Sequence, residues 1–229
     1  MRTRLATGIG LIAAGGAILG LAVAARPQSV PQSVPRSAAR PALGPAPRPA
    51  PAQAGTTGPA AHGPILPRSL PVSISIPVIG VRSALLDLGR NPDGTIQVPP
   101  LDDPSLTNEA AWYEFSPTPG QPGASIIEGH VDSARDGPSV FFRLGALRPG
   151  DLVGITLADR QVAVFRITGV RLFPKDRFPS GTVYSGGGTG SAELRLITCG
   201  GDFDARDHRY LSNVVAFASL VSSSPVPRR

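Results

Sequence analysis

A short apolar run leads to the only cysteine of the chain, Cys199, and ends in the pair Gly200-Gly201. Side chains at 194, 196 and 198 point to one face of an extended segment, and those at 195, 197 and 199 point to the other. This pattern predicts a strand that ends at Cys199. The two glycines leave little bulk beside the sulfur and let the backbone turn. Such a position suits a nucleophile, and the alternative is a buried cysteine that acts as a small hydrophobic residue.

His130 and two arginines are the residues that could make this thiol reactive. A thiol attacks a carbonyl carbon only as the thiolate, so it needs a nearby base or cation. The oxyanion that then forms needs a fixed donor. His130 follows Gly129 after a predicted strand, and Arg206 and Arg209 lie between Cys199 and the last predicted strand. Taken singly, each of these residues is more often structural or solvated than catalytic.

Short strands separated by turns must position these residues. The segments with strand-like alternation or short apolar runs are 72–76, 124–128, 152–157, 162–170, 194–199 and 214–217, the last extending as far as 221. Residues 140–147 predict one or two helical turns, and no long amphipathic helix is visible. Many short strands at this spacing predict an all-β fold, as a closed or nearly closed β-barrel.

The first 25 residues predict a membrane anchor. Arg2 and Arg4 precede an uncharged stretch from 5 to 25, which is long enough to cross a bilayer as a helix. Its many glycines are common in membrane helices. A cleaved signal peptide is the alternative, because Ala22-Val23-Ala24 resembles a cleavage site. We expect an uncleaved transmembrane helix.

Residues 26–70 predict a disordered linker. They are rich in proline and alanine and lack the apolar content that would offset the entropy of ordering. Proline-rich chain is extended and semi-rigid, so this segment would hold a domain away from the membrane. A tail without a spacing role is the alternative. We place the folded domain at 71–221 and a C-terminal tail at 222–229.

Composition argues against several classes of function. The net charge of +6 comes mostly from scattered arginines, without the basic and aromatic clusters of nucleic-acid-binding proteins. His62, His130 and His208 are far apart and there is one cysteine, so we expect no metal site. No glycine-rich phosphate loop is present, and we expect no cofactor.

Four motifs resemble those of the sortase family, closest to the actinobacterial single-domain sortases called class F. The resemblance covers roughly 71–220. The motifs are Gly129-His130-Val131-Asp132-Ser133, Phe141-Phe142-Arg143-Leu144-Gly145-Ala146-Leu147-Arg148-Pro149-Gly150-Asp151, Leu196-Ile197-Thr198-Cys199-Gly200-Gly201-x-Phe203-Asp204 and Tyr210-x-x-Asn213-Val214-Val215.

This resemblance implies an eight-stranded sortase β-barrel and a cysteine transpeptidase. Such an enzyme cleaves a Leu-Pro-x-Thr-Gly-type sorting signal between Thr and Gly, and passes the thioacyl-enzyme to an amine acceptor, usually of a cell-wall precursor. Without the amine it acts as a hydrolase. Cys199 is then the nucleophile and His130 the acid/base. The resemblance also implies a single-pass membrane protein with an extracellular catalytic domain.

The catalytic arginine is where this chain departs from the family. Sortases place that arginine a few residues before the apolar stretch of the last strand, where this chain has Leu211 and Ser212. Arg209 shares a face with Leu211 if the segment is extended, so we assign the role to Arg209, with Arg206 as the alternative.

A non-catalytic, membrane-tethered β-domain with a structural cysteine is the alternative function. A papain-like peptidase fits poorly, because its cysteine precedes its histidine in the sequence. In this chain His130 comes first.

Overall fold

A computed structural model describes residues 63–186 and 190–227. These residues form ten strands, one short α-helix and three single turns of 3-10 helix. The strands are β1 Pro71–Ile76, β2 Val81–Leu88, β3 Ala110–Tyr113, β4 Gly123–Glu128, β5 Asp132–Ser133, β6 Gly137–Pro138, β7 Leu152–Leu157, β8 Gln161–Pro174, β9 Ala192–Asp204 and β10 Arg209–Pro225. The α-helix is Ser180–Tyr184, and the 3-10 turns are Pro77–Ile79, Leu144–Ala146 and Lys175–Arg177.

Eight of these strands close into a barrel in the order β1-β2-β3-β4-β9-β10-β8-β7, with β7 pairing back to β1. Neighbours are antiparallel except for β2 with β3 and β4 with β9, which are parallel. Strands β5 and β6 form a separate two-stranded ribbon. The all-β, eight-stranded barrel expected from the sequence is confirmed.

The barrel interior is filled by the alternate apolar residues of its strands. Ile74, Ile155, Phe165 and Leu194 are at most 2% exposed, and Trp112 lies among them. Each such side chain contributes roughly 1.5–3 kcal/mol through burial. The predicted helical segment at 140–147 shortens to the 3-10 turn Leu144–Ala146. The apolar residues of this segment nevertheless face the core, where three of them are buried: Phe141, Leu144 and Leu147.

Strand β9 does not end at Cys199, as the sequence pattern predicted, but continues to Asp204. The ladder with β10 changes register between Tyr210 and Ser212, and Gly201, which lies beside this step, has a φ of 74°. Glycine adopts this left-handed conformation without steric cost, so the irregularity is accommodated and pairing continues beyond it. Cys199 therefore lies within a strand, beside a local irregularity of the ladder.

The chain boundaries differ slightly from the expected ones. The expected membrane anchor at 1–25, and the expected linker up to 62, lie outside the described residues. Residues 63–70 follow the barrel surface, where the Leu66 amide donates to the Gly120 carbonyl at 2.8 Å. At the other end, β10 pairs with β8 as far as Pro225, so part of the predicted tail belongs to the barrel. Within 63–186 and 190–227, no helix has the length and apolar character to cross a membrane.

Candidate active site

His130 and Cys199 meet because β4 and β9 run in the same direction side by side. Glu128 pairs with Ile197, and the Gly129 amide donates to the Ile197 carbonyl at 3.2 Å. His130 and Cys199 each lie two residues beyond this pair, so they reach the same level of the barrel. Both residues line a cavity of about 690 Å³. The structure thus brings together the predicted nucleophile and the predicted acid/base.

Gly129 allows the turn that carries His130 to pack closely on the core. A Cβ atom at this position would lie 2.6 Å from Cγ1 of Val140 and 2.8 Å from Cδ2 of Phe141. Phe141 is fully buried, and its amide donates to the His130 carbonyl at 3.0 Å. These contacts fix the backbone of His130 and explain the glycine before it.

The imidazole of His130 is oriented by a backbone carbonyl. Its Nε2 lies 2.7 Å from the oxygen of Pro99. A carbonyl oxygen only accepts hydrogen bonds, so Nε2 carries the proton and Nδ1 is the basic nitrogen of the neutral ring. The half-buried ring can therefore gain or lose a proton at Nδ1 while Nε2 keeps its hydrogen bond.

The Cys199 thiol is half-buried and forms no disulfide. The Nζ of Lys175 lies 3.4 Å from its Sγ and donates to it. Lys175 also lines the cavity, as does Arg90. The sequence analysis did not identify Lys175. The only local signal was its position directly after an apolar strand segment, because its approach to Cys199 depends on which strands are neighbours.

The structure does not bring Arg209 to this cavity. Arg209 pairs with Asp204 at the start of the β9–β10 ladder, and its guanidinium lies 3.2 Å from the carboxylate of Asp207. Its side chain is 58% exposed. The residue directly opposite Cys199 is Asn213, which lines the cavity. The catalytic role of Arg209 stays a prediction that this arrangement does not support.

Arg206, the alternative arginine, lies in the exposed turn that joins β9 to β10. Its backbone amide donates to the carboxylate of Asp204 at 2.9 Å. The guanidinium is not among the groups that line the cavity. Neither predicted arginine therefore contacts the thiol in this structure.

The cavity is also lined by Arg90, Tyr113, Glu128 and Tyr184. The Nε of Arg90 donates to the Tyr113 hydroxyl, and its guanidinium carbon lies 5.6 Å from the centre of the Tyr113 ring. Burial raises the pKa of Glu128 to about 7. Burial, together with the nearby Glu128, raises the pKa of Tyr184 to about 12. The Tyr184 phenol therefore keeps its proton near neutral pH and can donate a hydrogen bond to a bound ligand.

Potential metal ligands are sparse around this cavity. In the described part of the chain, no three His, Cys, Asp or Glu side chains lie together as a metal ion would require. His62 falls outside that part, and His208 is exposed in the turn between β9 and β10. The described side chains of the cavity are suited to acid/base and nucleophilic chemistry, and we assign no metal or cofactor to them.

The chain was compared with known proteins at three levels. The family model described as Sortase domain matches residues 74–221, which is well over half of the chain. Sortase C of Streptococcus pneumoniae is 15% identical, with 69% of each chain covered and a TM-score of 0.50. Sortase C-1 of Actinomyces oris is 17% identical, with 66% of this chain and 73% of that chain covered and a TM-score of 0.50. The comparison with curated proteins found no match.

The two structural similarities show a shared fold. The family match shows more, because it spans the whole barrel from β1 to β10 and includes both His130 and Cys199. Members of this family are cysteine transpeptidases, and Cys199 is the only cysteine of this chain. The chain belongs to the sortase family.

Proposed function

We propose that this sortase cleaves Leu-Pro-x-Thr-Gly-type sorting signals between Thr and Gly and transfers the acyl part to an amine of the cell envelope. The observation that carries this proposal is the meeting of the only thiol in the chain with His130 and a cation in one cavity. Cys199 acts as the nucleophile and His130 as the acid/base.

The first half of the reaction forms a thioester. The Cys199 thiolate adds to the threonine carbonyl carbon, which forms a C–S bond and moves the carbonyl electron pair onto oxygen. When this oxyanion collapses, the C–N bond breaks. Protonated His130 gives its proton to the departing amine, because an amine leaves poorly as an anion.

The second half returns the enzyme to its starting state. An incoming amine attacks the thioester carbon and passes a proton to His130. The C–S bond then breaks, and Cys199 leaves as the thiolate. Water in place of the amine gives hydrolysis instead of transfer.

The cavity has the size and character for a short peptide. Its volume of about 690 Å³ falls within the usual range for small-ligand sites, roughly 300–1,000 Å³. Ile96, Val98 and Ile197 contribute apolar walls that would suit the leucine and proline of a sorting signal. The signal preferred by this enzyme is part of the proposal.

We assign the enzyme to class F on its motifs and place it on the outer face of a cell membrane. A helix at 1–25 would anchor it, and the linker at 26–70 would extend the barrel toward its substrates. The family resemblance assigns the oxyanion to an arginine, and Arg209 is the candidate that the sequence offers.

The proposal is tested by incubating the purified full chain with a panel of fluorogenic sorting peptides, with and without an oligoglycine acceptor. We expect cleavage between Thr and Gly, a thioacyl adduct on Cys199 detectable by mass spectrometry, and transfer when the amine is present. Cys199→Ala should give neither adduct nor product while retaining its melting temperature. Cleavage by Cys199→Ala, or no cleavage of any peptide by the wild type, would contradict the proposal and favour a non-catalytic domain.

A further inference from the structure

Lys175 is the residue whose charge lies against the reactive sulfur. Its Nζ donates to Sγ of Cys199 at 3.4 Å, and both residues line the cavity. We propose that Lys175 is the catalytic cation of this enzyme, which stabilises the Cys199 thiolate and then the oxyanion of the tetrahedral intermediate. The second part of this inference rests on the proposed function, and the first part does not.

The topology of the barrel explains how Lys175 reaches the thiol. Strand β10 lies between β8 and β9, and Asn213 of β10 pairs with Phe173 on one side and with Cys199 on the other. Lys175 follows Phe173 by two residues, in the 3-10 turn that ends β8. The turn therefore lies at the same end of the barrel as the thiol, and the long lysine side chain spans the width of β10.

Strand β10 itself carries no positive charge near Cys199. The residues from 211 to 215 are Leu, Ser, Asn, Val and Val, and Leu211 is 42% exposed. A cation for the thiolate must therefore come from another element. Lys175 fills this need from the turn that follows β8, whereas the family would place an arginine on the last strand.

The charge of Lys175 is not neutralised by a carboxylate in the described part of the chain. There, the four ion pairs involve arginines only, including Arg177 with Asp176 at 3.8 Å and Arg209 with Asp207 at 3.2 Å. Arg90 also lines the cavity, and its Nε donates to the Tyr113 hydroxyl. Among the described residues, Lys175 is thus the cationic side chain that donates to the sulfur.

The chemistry of an ammonium group fits both parts of the role. Lysine presents three donors on a flexible stem, whereas arginine presents a rigid planar fork. One N–H can bond the sulfur of the resting thiolate, and an N–H can bond the carbonyl oxygen as negative charge moves there. This role requires no proton transfer to or from Lys175. A half-buried site strengthens this attraction relative to water.

The experiment compares Lys175→Met and Lys175→Arg with the matched control Arg177→Met, and with Arg209→Met as the test of the competing arginine, in the purified full chain. Arg177 lies on the same turn, and its side chain is 80% exposed. Two readouts are measured, namely kcat/KM for a fluorogenic sorting peptide and the rate of Cys199 alkylation by iodoacetamide at pH 7. Thermal melts verify that each variant is folded.

We expect Lys175→Met to lower kcat/KM about a hundredfold, the usual effect of losing one oxyanion donor. Its alkylation should slow about five- to tenfold, because the thiolate loses its cation. Lys175→Arg should recover part of both rates, since it keeps the charge. The Arg177→Met control should stay within about threefold of the wild type in both rates, as a solvated charge does.

The two readouts separate the failure of this inference from the failure of the proposed function. A folded Lys175→Met variant with both rates near those of the wild type would overturn the role of Lys175, most directly if Arg209→Met were inactive. If the wild type cleaves no sorting peptide, the proposed function fails, and alkylation alone decides whether Lys175 stabilises the thiolate.

Discussion

The phenol of Tyr210 donates a hydrogen bond to the carboxylate of Asp132. Tyr210 lies at the start of β10, and Asp132 follows His130 by two residues. This contact therefore joins the β9–β10 pair, which carries Cys199, to the turn that carries the proposed acid/base. The hydrogen bond to Asp132 also raises the pKa of the Tyr210 phenol. The two halves of the candidate site are connected outside the barrel core.

We predict that Tyr210→Phe lowers kcat by about fivefold with little change in KM, because one hydrogen bond of roughly 1 kcal/mol is lost. The melting temperature should change little, since Tyr210 is partly exposed. Asp132→Asn should retain part of the activity, because its amide oxygen still accepts the bond. Steady-state kinetics check this, with Arg206→Ala as the control. An unchanged kcat in Tyr210→Phe would show that the contact does not position His130.

His130→Gln should lower amide cleavage about 10²- to 10⁴-fold, the usual contribution of a general acid or base. Glutamine can still donate to the Pro99 carbonyl but cannot deliver a proton to the departing amine. The loss should be much smaller for a thioester substrate, because a thiolate leaves without that proton. Equal losses for amide and thioester would indicate that His130 has a structural role.

Glu128 should make the stability of the barrel depend on pH. Burial raises its pKa from 4.5 to about 7, so the folded protein keeps a proton that the unfolded chain releases between those values. The free energy of unfolding therefore falls as the pH rises through this window. Glutamine does not ionise, so Glu128→Gln should avoid about 1–3 kcal/mol of this loss of stability at pH 8. At pH 4, where Glu128 is protonated in both states, the substitution should bring no such gain.

Urea unfolding at pH 4, 6 and 8 measures this effect. The difference between Glu128→Gln and the wild type should grow with pH and level off above about pH 7. Glu114→Gln provides the matched control, because the same change is made there at an exposed position. A constant difference for Glu128→Gln would mean that its carboxylate is well solvated.

The sequence identified the site residues that can be recognised by their type and local motif. It did not identify the contacts that depend on which strands are neighbours. Cys199 and His130 were found from their motifs, and the parallel pairing of β4 with β9 explains why they meet. Lys175 was missed because its contact passes across β10, a pairing that no local pattern encodes. Arg209 was assigned to the site on the assumption of one extended face.

Arg209 lies on β10 beyond an irregular step of the β9–β10 ladder. The ladder changes register after Tyr210, next to Gly201, and the turn before Arg209 contains His208 at a φ of 49°. Alternation of side chains cannot be extrapolated through such a step. The alternation at 194–197, where the ladder is regular, is confirmed, since Leu194 and Leu196 lie in the main core and Ile197 packs in a separate apolar cluster.

The segment 63–70 should belong to the folded domain, although its composition resembles that of the linker. The Leu66 side chain packs against the core, and its amide donates to the Gly120 carbonyl. The Leu70 carbonyl accepts from the Ala158 amide at 2.8 Å. A Cβ at Gly120 would lie 2.7 Å from the Leu66 side chain, which shows how closely the segment fits.

We predict that a chain starting at residue 71 unfolds about 5–10 °C below one starting at residue 63. The two backbone hydrogen bonds, the two hydrogen bonds of Ser69 and the burial of Leu66 are lost, together roughly 2–4 kcal/mol. Both chains should cleave a sorting peptide with the same kcat at a temperature where both are folded, since Cys199 and His130 are untouched. Leu66→Ala in the longer chain should reproduce most of the loss. Equal melting temperatures for the two chains would place the start of the domain at β1.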